Sequence, residues 1–131
     1  MNAIKHTHTS THSEKRHTVA LKAFFGITRK WELSSEQERI LLGSLPRATF
    51  YRWKQQLDGQ LDANILERIS YVLGIYKALR MLLPNDAAAC QWIHKPNTAV
   101  LFGGKSALQK LLQGRVIDLA DVRRYLDAER G

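Results

Sequence analysis

Apolar residues recur every three or four positions through most of this chain, and that spacing predicts helices nearly throughout. Leu21, Phe24 and Phe25 form the inner face of a first helix from Thr18, which Gly26 breaks or ends, and Ile27 and Trp31 extend the same core. Residues 33–55, LSSEQERILLGSLPRATFYRWKQ, read as two short helices joined by a tight turn. Ser34 or Ser35 caps the first of them, Glu36 and Glu38 suit its positive end, and Ile40 and Leu41 face inward. Gly43 supplies the left-handed backbone that stops it, and Pro46 fits the start of the next. Phe50, Trp53 and Leu57 then share an inward face at i, i+3, i+7, until Asp58-Gly59-Gln60 breaks the pattern.

The longest helix starts at a cap on Asp62 or Asn64 and runs to about Leu83, where Pro84 stops it. Its apolar stripe is wide enough to need cover on more than one side, from its own chain and from a second copy. Leu66, Ile69, Leu73 and Tyr76 are the residues assigned to that homodimer seam. Further on, Asn85 caps a short helix over 86–93 that carries Trp92, and turns follow at Lys95-Pro96-Asn97 and Phe102-Gly103-Gly104. Ser106 with Gln109 makes a capping box for a Leu-rich helix that Gly114 terminates. Asp118 caps the last helix, whose inner face is Leu119, Val122 and Leu126. Only 99–102 would permit a short strand, so the fold is expected to be all-α. The expected divisions are an unstructured arm over 1–17, a helix-turn-helix domain over 18–60 and a helical module over 61–131.

A chain of 131 residues can bury one core, or two small ones that lean on each other. Nothing approaches the ~20 consecutive apolar residues that cross a bilayer, and the first residues lack the apolar stretch of a secretory signal. A cytoplasmic protein that does not engage membranes is the expectation. Cys90 is the single cysteine, which excludes an internal disulfide and a cysteine-based zinc site. The formal charge of +8 favours an anionic partner. Residues 1–60 hold ten Lys/Arg against five Asp/Glu, and residues 61–131 hold ten against seven, so the excess leans towards the first half.

That lean gives the paired short helices a chemical meaning. With Phe50 and Trp53 turned inward, Arg47, Thr49, Tyr51, Arg52 and Lys54 are left to face outward on the second helix. A helix-turn-helix sets such a face into the DNA major groove. The same residues also suit a structural helix pair with a solvated basic surface, and the pattern leaves both readings open. His6, His8 and His12 could meet a metal only if something rigid held them, and no metal or cofactor is expected. Lys5, Lys15 and Arg16 could touch phosphate as a basic arm. Gly104-Lys105-Ser106 fails as a phosphate loop because Ala99 stands where that loop needs glycine. His94 has no nucleophile at a useful spacing, and the carboxylates of the last helix sit where caps sit, so no enzyme is expected.

The ordered set resembles a known family. A helix-turn-helix is followed by LERISYVLGIYKALRMLLP, then WIHKPN, FGGKSALQKLLQG and VRRYLDAERG. In this order they are similar to the Xre/MbcA/ParS antitoxins over residues 18–131, with Trp92, Pro96-Asn97 and the Gly-rich turn as the specific part. The resemblance implies an Xre-like helix-turn-helix domain followed by a toxin-binding and dimerisation module. It further implies a type II antitoxin that blocks the active site of a RES-domain, NAD⁺-degrading toxin, and a homodimer that represses its own operon on double-stranded operator DNA. The resemblance also implies a larger hetero-oligomer with the toxin. Carried over by position, the toxin-facing residues are Trp92, Arg123, Arg124, Tyr125, Asp127, Glu129 and Arg130. The alternative is a homodimeric regulator with no toxin partner.

Overall fold

A computed structural model describes residues 12–131 as seven helices: α1 His12–Lys30, α2 Ser35–Leu41, α3 Arg47–Gln56, α4 Ala63–Leu82, α5 Asp86–Trp92, α6 Ala107–Leu111 and α7 Val116–Glu129. His6, His8 and Lys5 lie outside the described residues. Two expectations for α1 need correcting. It is helical from His12, the first described residue, so the stretch 12–17 is helical, and it runs straight through Gly26. A glycine inside a helix costs roughly 1 kcal/mol, and burial of Leu21, Phe24, Phe25 and Ile27 on both sides of it outweighs that.

Local signals set most of the other boundaries. Ser34 and Gln37 form a reciprocal capping box at the start of α2. Gly43 (φ +97°) and Ser44 (φ +58°) turn the chain after it, while their N–H groups bond to the carbonyls of Ile40 and Arg39. Asp62 caps α4 through Ile65 N–H at 2.8 Å, Asn85 caps α5 through Ala88 N–H at 2.8 Å, and Ser106 with Gln109 repeats the capping box at α6. The last helix departs from expectation. It starts at Val116 with Arg115 at the N-cap, and Asp118 lies in its first turn with its carboxylate bound by side chains instead of capping the backbone. Residues 99–102 form a turn, and the one bridge nearby pairs Pro96 with Ser106.

Helix α4 is the centre of the molecule. It packs against α1, α5 and α7, burying Ile65, Ile69, Val72, Ile75, Ala78 and Leu79 in one continuous core with residues of every other helix. Ile69 is 1 % exposed, so its own chain covers it and it cannot form part of a seam with a second copy. Leu66, Leu73 and Tyr76 are half-buried at the edge of that core. At Gly74 a Cβ would fall on the Arg123 guanidinium, the movable end of a long side chain. Gly59 in the α3–α4 connection is held more strictly, since a Cβ there would lie 2.3 Å from Trp53 Cε2.

The buried Trp53 ring cannot step aside as a flexible chain end would. Gly59→Ala is therefore expected to lower stability by about 1–3 kcal/mol through overpacking. Urea unfolding checks it: the midpoint should fall at an unchanged slope. An unmoved midpoint would mean the indole does not press on this backbone.

Candidate functional site

Two surfaces at opposite ends of α4 carry the sequence-predicted residues. On the first, α3 presents Ala48, Tyr51, Arg52 and Gln55 to solvent in one stripe, with Phe50 and Trp53 buried behind it. Arg52 has no ion-pair partner among the described residues, while Arg47 at the helix entry lies 3.4 Å from Glu36. Glu36 also binds Arg39 at 2.5 Å, and that hydrogen bond holds its carboxyl below the ordinary range. Arg39 in turn donates to the Leu45 carbonyl at 2.7 Å, pinning the turn between α2 and α3. Thr49 is half-buried at the edge of the stripe.

Lys54 does not join that face. Its ammonium donates to Glu38 Oε1 at 2.6 Å and Ser35 Oγ at 3.0 Å, and it lies 5.8 Å and 6.0 Å from the ring centres of Phe25 and Phe50. Glu38 is buried, and its other oxygen accepts from Thr28 Oγ1 at 2.6 Å. One residue from each of α1, α2 and α3 thus meets at a single carboxylate. Lys54 is a structural cation, drawn inside by a partner sixteen positions away. Ala48 and Gln55 take outward positions that sequence reading missed, although the three- and four-residue steps from Tyr51 and Arg52 lead to both.

At the other end, Trp92 of α5, Tyr125 of α7 and Phe102 of the intervening turn form an aromatic cluster. Trp92 and Tyr125 stack at 6.4 Å, and Phe102 stands edge-on to each at 5.9 Å and 5.1 Å. Trp92 and Tyr125 are half-buried and line a cavity of about 220 Å³ with Leu79, Leu82, Leu83, Leu126 and Glu129. Arg123 and Asp127 pair at 2.9 Å, and Arg123 packs on Gly74, so these two act at the α4–α7 contact. Arg124, Glu129 and Arg130 are exposed. Arg124 pairs with Asp121 at 2.5 Å, and Arg130 reaches Met81.

Asp118 is wholly buried and bound on two sides, by Arg115 at 2.9 Å and Lys110 at 3.0 Å. The Arg115 hydrogen bonds, helped by Lys110, hold its carboxyl below the ordinary range although burial pulls the other way. The two ends of the molecule are tied at the α1–α5 junction. His94 Nε2 donates to the Trp31 carbonyl at 2.7 Å, and Asp86 receives Tyr76 Oη at 2.6 Å and Lys30 at 3.3 Å. The Tyr76 hydrogen bond is the main reason the Asp86 carboxyl is held down. Among the described residues no three His, Cys, Asp or Glu side chains are grouped to hold a metal, and no helix is long and apolar enough to cross a membrane.

Asp118→Asn should cost about 1–3 kcal/mol at pH 7, because it removes the charge that the mostly buried Lys110 faces, while the exposed Arg115 can turn to water. The folded carboxyl titrates below its unfolded value of about 3.9, so its contribution is complete above that pH. It is lost as pH falls through the lowered folded value. Urea melts of both proteins should give a stability gap that narrows below pH ~4; a gap independent of pH would contradict the pairing.

Comparison with known proteins matches both halves of the chain. The antitoxin Xre-like helix-turn-helix domain matches residues 11–74, and the antitoxin Xre/MbcA/ParS C-terminal toxin-binding domain matches residues 78–131. The chain is also 49% identical over 111 residues to a protein of Sinorhizobium fredii (strain NBRC 101917 / NGR234) named uncharacterized protein y4oB, across 85% of this chain and 84% of that one. The α3 stripe lies in the first matched region and the aromatic cluster with the end of α7 lies in the second. The chain belongs to the Xre/MbcA/ParS antitoxin family, a type II antitoxin with its helix-turn-helix and its toxin-binding domain on one helical core.

Proposed function

We propose that this antitoxin neutralises a RES-domain, NAD⁺-degrading toxin by seating its C-terminal module over the toxin active site, and that its homodimer represses the shared operon. The observation that carries the reading is the order of the two matched domains, with the toxin-binding one ending on a rigid, partly charged helix terminus. A helix already held along α4 loses little freedom on docking, which suits a plug for another protein's cleft. Arg124, Glu129 and Arg130 are the exposed residues there, beside the aromatic pair Trp92 and Tyr125. For DNA, Arg47, Tyr51 and Arg52 face outward on α3, and the net charge of +8 favours approach to the duplex. A dimer seam is supported at the α1–α4 edge, where Val19, Ala20, Ala23 and Leu73 line the apolar floor of an open groove of about 390 Å³ that His12, Lys15 and Arg16 border. Two copies joined there would present two α3 helices to successive major-groove segments.

Deleting residues 118–131 would remove Leu119, Val122 and Leu126 from the core, so the neutralisation test uses substitutions on the exposed end. Co-expression with the RES-domain protein encoded beside this chain should restore growth and keep cellular NAD⁺ high. Arg124→Ala with Glu129→Ala and Arg130→Ala should weaken the rescue. No rescue by the unaltered chain, or an adjacent gene of another kind, would overturn the reading in favour of a regulator without a toxin.

For the DNA half, Arg52→Ala should weaken operator binding by about 1–3 kcal/mol with the melting temperature unchanged. Lys54→Ala should instead lower stability by about 1–3 kcal/mol by leaving Glu38 unpaired in the core. Mobility-shift titration beside thermal melts separates the two, and operator binding unaffected by the Arg52 change would refute the proposed face.

A further inference from the structure

Val100 is 98 % exposed, more than any other large apolar residue among the described ones. A single exposed apolar side chain is ordinary on a protein surface. This one stands on a loop tied by backbone hydrogen bonds on both sides of it. Asn97 N–H donates to the Lys105 carbonyl at 3.0 Å and Gly104 N–H returns to Asn97 at 2.9 Å. Phe102 and Gly103 N–H groups both bond to Ala99, and Ala99 N–H bonds to the Asn97 side chain. Gly103 (φ +58°) and Gly104 (φ +89°) supply the backbone this closure needs. Two residues beyond Val100, Phe102 is locked between Trp92 and Tyr125. The loop therefore holds one valine outward on a base fixed to the core.

The surroundings of the loop select a partner. Residues 87–117 contain no Asp or Glu and four basic residues, Lys95, Lys105, Lys110 and Arg115. Lys110 and Arg115 are bound to Asp118, which leaves Lys95 and Lys105 exposed at the two ends of the loop. A fixed apolar tip between two cations unpaired among the described residues is complementary to an apolar socket with an acidic rim. The whole arrangement lies within the matched toxin-binding domain, at the opposite end of the chain from α3.

We propose that the loop over residues 97–106 is the anchor by which this chain grips its toxin, with Val100 filling an apolar socket rimmed by carboxylates. This rests on the antitoxin reading and adds to it a contact apart from the end of α7. The valine has a single restricted side-chain torsion and its loop is already closed, so docking there immobilises little.

The test measures affinity of the purified full-length chain for its co-encoded toxin by titration calorimetry, with the operator titrated in parallel. Val100→Ala should weaken toxin binding on the order of 10-fold and Val100→Asp on the order of 100-fold or more. Lys95→Glu with Lys105→Glu should slow association and reverse its salt dependence. Melting temperatures should stay at the unaltered value, since all three side chains are exposed. Toxin affinity within twofold for Val100→Asp overturns the anchor and leaves the antitoxin reading standing. Loss of operator binding with toxin binding kept reassigns the loop to DNA and also overturns it. No toxin binding by the unaltered chain overturns the antitoxin reading itself.

Discussion

The fold depends on how α4 is covered. Its buried positions point in several directions, and the helix is stable only while α1, α5 and α7 lie on it together. One contact with α7 falls at Gly74. A glycine in the middle of a twenty-residue helix gives up roughly 1 kcal/mol of helix propensity, and the return is the close seat of the Arg123 guanidinium against bare backbone. Leu119, Val122 and Leu126 of α7 share one core with Leu21 and Phe24 of α1. The helix-turn-helix and the toxin-binding domain meet within α4, at residues 74 and 78, and neither has a core of its own.

Two buried carboxylates fix the junctions around that core. Glu38 joins α2 to Thr28 of α1 and Lys54 of α3, and Asp118 joins α7 to Lys110 of α6 and to the preceding Arg115. Desolvating such groups cancels much of what the pairs return, so their net contribution to stability is small while all partners are present. Their effect is on geometry, because any shift of one helix leaves a charge unpaired. Exposed pairs such as Arg124–Asp121 have no such hold, being worth about 0–1 kcal/mol.

Much of this was legible in the sequence wherever the signal was local. Ser34, Asp62, Asn85 and Ser106 cap helices as their spacing predicts, and Gly43 and Gly114 end them with positive φ. The inward residues of α3 and α7 also follow from periodicity. The failures share a physical cause, which is that the deciding partner is remote in the chain. Lys54 reads as an outer cation until Glu38 is placed beneath it, and Arg123 until Gly74 is placed beside it. Gly26 reads as a helix end because its local cost is visible and the packing of α1 on α4 is not. Ile69 shows why periodicity alone cannot name a dimer seam. It marks the residue as inward without saying whether its own chain or a second copy does the covering.

The same construction limits how the two ends can influence each other. Coupling between sites needs an element with two arrangements whose balance each ligand shifts. Helix α4 contains no proline to kink it, and its one glycine lies mid-helix beside the Arg123 side chain. The α1–α5 junction is closed as well, by the Trp31–His94 bond and by Asp86 with Tyr76 and Lys30. A molecule built this way transmits little by changing shape. Any effect of toxin on the proposed operator binding is then better carried by how many copies a complex brings to the DNA, and at what spacing. Linking two binding modules raises their effective concentration without a new contact when the span fits, and removes the gain when it does not.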